Sequence, residues 1–460
     1  MSLYRNGNGN SDAGEITVFL GSFVHAESGN NPFVLVNNGV IGVQHGKIIF
    51  VDVEDNLDVL KEKFSFSGDN IQVMGQGEFI MPGLVDTHIH APQYPNAGLG
   101  LDLPLLEWLE KYTFPMESRF EDVSFARACY KKVVQRTVNC GTTTASYFAT
   151  IHKAAAEILA DIVELSGQRA FIGKVNMDCY SPDNYCETTA DSLKSTEEFI
   201  LNINKRKNSR VQPIITPRFA LTCSEELMTG LGNLAKKYDV NIQTHLCESI
   251  PEVQRALELF PNCKNYTEIY EKVGLLTNKS IMAHCVHMTD EEIGLLKKYS
   301  TGVAHCPASN MCLLSGLCPI RKIHDAGVSV GLGTDVSGGY TASILEQMRL
   351  AIIMSKCLKM EDRSCPREAL NYKEVFYFAT LGGANALSIG DKIGNFKVGK
   401  YFDALHIDLA SADSPVHLFP GETLLDMVEK FIMLGDDRNI VQVFVDGKNV
   451  KKSVQPLLLT

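Results

Sequence analysis

Two histidines one residue apart close an apolar run, Leu84-Val-Asp-Thr-His88-Ile-His90. Alternate residues of a strand face the same side, so both imidazoles aim the same way, and neutral imidazole is a good zinc ligand. Alone, the tripeptide is compatible with ligation or with incidental histidines. Three further ionisable residues close other apolar runs, however: His245 after Asn241-Ile-Gln-Thr, His284 after Ser280-Ile-Met-Ala, and Asp335 after Gly331-Leu-Gly-Thr. Each has a structural reading by itself; their recurrence at strand ends points to a metal centre. Glu248 lies three residues beyond His245. That places a carboxylate where it can move protons without blocking a metal, and metal-assisted hydrolysis needs one because the leaving group must still be protonated. The bland alternative is a Glu that caps the following helix.

These residues need a frame that gathers strand ends. Eight apolar runs alternate with amphipathic stretches: Leu84–His90, Thr142–Phe148, Ala170–Val175, Pro213–Phe219, Asn241–His245, Ser280–His284, Gly302–Cys306 and Val328–Asp335. This is the pattern of βα units, and eight of them predict a closed (β/α)8 barrel of the TIM type, whose active site lies at the carboxyl ends of the strands. Phe125–Val138 and Glu225–Lys237 carry apolar residues at helical spacing. Short strand-like runs near both termini, among them Phe33–Val36, Ile41–Val43, Lys47–Val51, Tyr401–Leu409 and Val441–Val445, predict one small β-sandwich domain made from both ends. The expected division is a disordered leader at 1–14, a composite β domain from 15–82 plus 392–460, and a barrel from 83–391. The connection from Ala91 to about Ser124 is long and carries Trp108, Tyr112 and Phe114, as lids often do.

Composition narrows the function classes. A net charge of -11 argues against a broad nucleic-acid or anionic-lipid footprint, and no apolar run approaches the length of a membrane span. The opening residues lack the apolar core of a secretory signal, and thirteen scattered cysteines without a C-x-x-C pair predict reduced thiols in a cytoplasmic protein. His25-Ala-Glu27 matches the H-x-E of zinc cytidine deaminases, but no P-C-x-x-C follows it, so it is read as chance. His152, His287, His324, His406 and His417 are assigned surface or structural places. G-x-S-x-G, H-E-x-x-H and Walker A patterns are missing.

Across the barrel and both flanking β segments the chain resembles the amidohydrolase superfamily, in its mononuclear deaminase branch. The resemblance implies that His88, His90, His245 and Asp335 hold one divalent metal, zinc, per chain, while His284 contacts the activated water or, more weakly, the metal. It casts Glu248 and Asp335 as the proton-transfer groups. Binuclear members commonly carry a lysine at the end of strand four, where this chain has Thr216-Pro-Arg218-Phe219. Arginine does not readily form the bridging carbamate, so one metal is expected. Segments Asp86–Tyr94, Leu103–Pro115, Thr216–Phe219, Gly331–Tyr340 and Leu434–Asn439 are similar to the guanine deaminase group. That similarity implies a purine base contacted by Gln93, Arg218 and Phe219, and, by family habit, a homodimer. The competing readings are a deaminase or chlorohydrolase acting on adenosine-like, cytosine or triazine substrates, and a metal-free scaffold.

Overall fold

The computed structural model describes residues 14–451. The expected leader, apart from Gly14, and residues 452–460 of the expected composite domain lie outside the described residues. Eight parallel strands form a ring: Leu84–His90, Thr142–Phe148, Arg169–Gly173, Val211–Pro217, Asn241–Leu246, Ser280–His284, Gly302–His305 and Val330–Leu332. Pairing of Leu332 with Asp86 and of Ile214 with Asn241 closes it. Every residue of the first strand is buried. Strands covered on both faces read as continuous apolar runs, which is why these segments showed no alternation. The helices Val123–Asn139 and Glu225–Tyr238 cover the two expected stretches. Asp122 caps the first by accepting from Ser124 N–H at 2.8 Å, and Ser224 caps the second through Leu227 N–H.

The two ends of the chain build one eight-stranded mixed sheet whose two layers are continuous. Thr17–His25 and Ile440–Val445 are separated in the hydrogen-bonding order by two strands, Glu78–Pro82 and Ala404–Asp408. Strands that far apart in a flat sheet would stand roughly 14 Å from each other, yet the Phe19 and Phe444 rings meet at 5.2 Å. The sheet is therefore folded over an aromatic core that also holds Phe402, stacked on Phe19 at 4.6 Å. His45 and Gly46 turn the chain between Val34–Gln44 and Lys47–Val53 with φ of 51° and 76°, the backbone that a tight hairpin requires.

Sheet and barrel are joined rigidly. Only Gly83 separates Glu78–Pro82 from the first barrel strand, and a Cβ there would meet Thr143 Oγ1 at 2.1 Å. Arg169, buried at the start of the third barrel strand, donates through Nε to Asp403 at 2.9 Å and also binds Asp446. The covering segment after the first strand is a series of short helical turns from Ala91 to Glu121, including Leu105–Trp108 and Phe114–Ser118.

His25 is buried in the folded sheet, where its Nδ1 accepts from Phe396 N–H at 3.3 Å. Burial pushes its pKa down from 6.5 to about 4. Below pH 6.5 the unfolded chain takes up a proton that the native imidazole refuses, so this residue's contribution is present above pH 6.5 and is lost as pH falls toward 4. The full shift corresponds to about 3 kcal/mol. His25→Gln, which keeps an acceptor, is expected to flatten the fall of Tm between pH 6.5 and 4 relative to wild type; parallel Tm profiles would disprove this.

Candidate active site

The carboxyl ends of four barrel strands bring five side chains to one point. His88 and His90 come from the first strand and His245 from the fifth, His284 closes the sixth, and Asp335 follows the eighth. Each of these side chains is buried. Cys247, His284, Cys285 and Asp335 have φ of 51°, 73°, 51° and 45°. Backbone of this kind costs on the order of 1–3 kcal/mol per residue and turns the chain sharply as it leaves a strand, so here it concentrates where side chains must face the mouth. One ligand atom each from His88, His245, His284 and Asp335 lies within 4.8 Å of all the others. His90 is outside that tightest group, but its Nε2 is 3.1 Å from His245 Nε2 and 3.4 Å from Asp335 Oδ1.

The hydrogen bonds behind the rings decide what the rings present. His245 Nδ1 faces the Arg218 carbonyl at 2.6 Å, and a carbonyl only accepts, so Nδ1 carries the proton. His88 Nδ1 is held in the same way by Gln243 Oε1 at 2.5 Å, while the Gln243 amide nitrogen donates to Ser146. His284 Nδ1 meets Asn310 Oδ1 at 2.9 Å. Three Nε2 lone pairs therefore point inward, and those of His88 and His284 are buried without a hydrogen-bond partner. Burial and the neighbouring imidazoles hold the pKa of His90 and His245 well below the usual value, keeping them in the neutral form that ligates. Unpartnered lone pairs converging beside a carboxylate fit a divalent metal ion, and with it the two orphaned nitrogens are satisfied.

Two carboxylates on this centre are driven apart in acidity. Glu248, with Oε2 3.5 Å from His284 Nε2, is pushed up to about 8 by burial and by the charge of Asp335, against a hydrogen bond from Ser315 Oγ at 3.1 Å. Asp335 is buried too, yet His88, 3.1 Å away, and the other imidazoles hold it well below the ordinary range. Separation of this kind suits Glu248 to take up a proton and give it back near neutral pH, beside a carboxylate that stays charged. Capping of the next helix, Ile250–Leu259, is performed by Ser249 and Glu252; Glu252 accepts from the Glu248 and Ser249 amides at 2.8 and 3.1 Å. The Glu248 side chain is free to face the pocket.

That pocket offers about 380 Å³ of empty space, part of it open to solvent, and is walled by Gln93, Trp108, Arg218 and Phe219 above the cluster. Arg218 forms a two-pronged ion pair with Glu117, Nη1 to Oε2 at 2.7 Å and Nη2 to Oε1 at 3.1 Å. Gln93 Nε2 donates to the same carboxylate at 2.8 Å. Gln243, Asn310, Ser315 and Glu117 were missed in the sequence. Gln243 had a signal, since it stands two residues before His245 on one strand and so shares its face; Asn310, in the short helix Pro307–Cys312, and Ser315, on the loop after it, had none.

Residues 79–450 match the model of the Amidohydrolase family. The guanine deaminase of Homo sapiens is 46% identical over 439 residues, covering 94% of this chain and 96% of that protein. The guanine deaminase of Escherichia coli (strain K12) is 37% identical over 387 residues, covering 83% and 85%. Among solved structures, the guanine deaminase from C. acetobutylicum with guanine bound in its active site is similar with a TM-score of 0.87 at 38% identity, covering 95% of this chain and all (100%) of that one. The chain belongs to the amidohydrolase family, in the group of the guanine deaminases.

Proposed function

We propose that this chain hydrolyses guanine to xanthine and ammonia. The observation that carries the reading is one pocket in which a cluster of inward lone pairs, a raised carboxyl and a wall of hydrogen-bond donors face the same space. His88, His90, His245 and Asp335 would hold one zinc ion per chain, with His284 against it or against the attacking water; imidazole-rich sites with a carboxylate suit zinc and redox-free hydrolysis. When bound, the metal acts as a Lewis acid and makes water a nucleophile at neutral pH.

The chain's own residues move the protons. Glu248 takes one from the attacking water and delivers it to the ring nitrogen beside the amino-bearing carbon, leaving that carbon tetrahedral with hydroxyl and amino groups. The hydroxyl proton then passes, through Asp335 or Glu248, to the amino group. Ammonia departs and a carbonyl forms, so one water is consumed for each ammonia released. Phe219 and Trp108 give the base apolar walls, while Arg218 and Gln93 offer donors to its O6 and N7 acceptors. The reading includes a cytoplasmic homodimer with a barrel hydrolase domain at 83–391 and a composite domain from 15–82 plus 392–460, acting on a free base without nucleic acid or membrane. No helix among the described residues is long and apolar enough to cross a membrane.

Elemental analysis is expected to find one zinc per chain, diminished in His88→Ala, His245→Ala or Asp335→Asn. Two metals per chain, or full occupancy when Asp335→Asn is combined with His88→Ala, would contradict the site. Glu248→Gln should keep metal and guanine binding while turnover falls at least about a hundredfold; near-normal turnover would remove Glu248 from proton transfer. Ammonia release should be about tenfold to a hundredfold more efficient from guanine than from adenine, whose amino group sets a donor against donors. Equal efficiency on the two bases would sink this account of recognition.

A further inference from the structure

Glu117 has no solvent exposure and belongs to the short helix Phe114–Ser118 in the segment that covers the barrel mouth. Its carboxylate accepts four hydrogen bonds, two from Arg218 at 2.7 and 3.1 Å, one from Gln93 Nε2 at 2.8 Å and one from Tyr185 Oη at 2.6 Å. These donors come from the end of the fourth barrel strand, the turn after the first, and the loop beyond the third. Because this group only accepts, it decides which atoms its partners keep for the pocket. The Gln93 carbonyl accepts from Ser337 N–H at 3.1 Å while its nitrogen donates to Glu117. Flipping the amide would set NH₂ against N–H and carbonyl against carboxylate, so the orientation is fixed and one Gln93 N–H remains. Arginine has five N–H donors; two are spent on Glu117, and three remain in a plane the ion pair holds. Arg218 is thereby left with donors only, and Gln93 with one N–H while its carbonyl is engaged by Ser337.

We propose that Glu117 is the positioning residue for base recognition: by fixing the donors of Arg218 and Gln93 in one orientation, it selects an oxo-purine, which offers acceptors, over an amino-purine. The inference rests on the guanine reading and adds the residue that enforces it. Glu117 itself belongs neither to the pocket lining nor to the metal-type cluster; it acts through Arg218 and Gln93.

The test compares wild type, Glu117→Gln and Glu117→Asp for metal content, Tm, and kcat and KM on guanine and adenine. Glu117→Gln keeps the size but presents an NH₂ to donors. Its loss should fall on KM for guanine, raised by about tenfold or more, rather than on kcat, and the guanine-to-adenine preference should shrink about tenfold, with metal content unchanged. Glu117→Asp keeps the charge on a side chain too short to reach all four donors, and should fall between the two; it is read in place of Glu117→Gln if that variant does not fold. A residue serving only stability would lower Tm and leave the preference between bases intact. A wild-type enzyme that releases no ammonia from guanine removes the proposed function and this inference with it. One that does, while the folded variants keep its KM and its preference, overturns the inference alone.

Discussion

Three imidazoles turn their Nε2 lone pairs toward one buried carboxylate, and nothing within the rings themselves favours that arrangement. Free imidazoles would rotate to share protons. They are prevented from doing so from behind, where acceptors at Arg218, Gln243 and Asn310 take the Nδ1 protons at 2.5–2.9 Å. Those acceptors are in turn placed by the closed barrel, because Gln243 stands on the same strand as His245 and reaches His88 across its interior. The ring closure through Leu332 and Asp86 matters for the same reason. Asp86 accepts from Thr334 N–H at 3.0 Å and from His88 N–H at 3.2 Å, which ties the strand carrying two of the histidines to the turn carrying Asp335.

Arg218 connects this metal-type cluster to the wall of the pocket above it. Its carbonyl fixes the His245 tautomer, and the same oxygen also accepts from Thr244 Oγ1 at 3.1 Å. Its guanidinium runs the other way to Glu117 and packs 5.1 Å from the centre of the Phe114 ring. Burial disfavours a guanidinium charge, but Glu117 more than restores it. Removing either partner strands the other as an uncompensated buried charge, a change that typically costs about 3–5 kcal/mol. Loss of stability and the proposed loss of recognition would thus be linked at this pair, and separating them requires substitutions that preserve shape or charge.

The barrel was legible because its strands are buried on both faces and end in polar residues that have no other reason to recur there. Strand-end position does not by itself make a ligand, however. His305 closes the seventh strand just as His284 closes the sixth, yet it is not among the four tightest donors, and burial pushes it down to about 3. The terminal strands could be read from apolar runs, whereas their union into one folded sheet depends on Phe19 meeting Phe402 and Phe444, residues more than 380 positions away. Glu117 was invisible for the same reason. Its meaning lies in partners 24, 68 and 101 residues distant, brought together by a covering segment whose short helical turns have too few residues to show a period.

On the proposed reading, the residue at 218 would also link how many metals the site takes to which base it reads. A lysine in the fourth strand is what a bridging carbamate requires, and an arginine gives up that possibility. What it gains is a permanent charge and a planar fork, and only a fork can place two donors on one carboxylate while holding the rest of its donors in a known plane. A lysine ammonium beside Glu117 would be a compact charge free to turn about its stem, and burial would press it toward the neutral form. Neither state would present a fixed set of donors to O6 and N7. On the proposed reading, the arginine that leaves the cluster with one set of ligands would therefore also supply the rigid wall against which a guanine is told from an adenine.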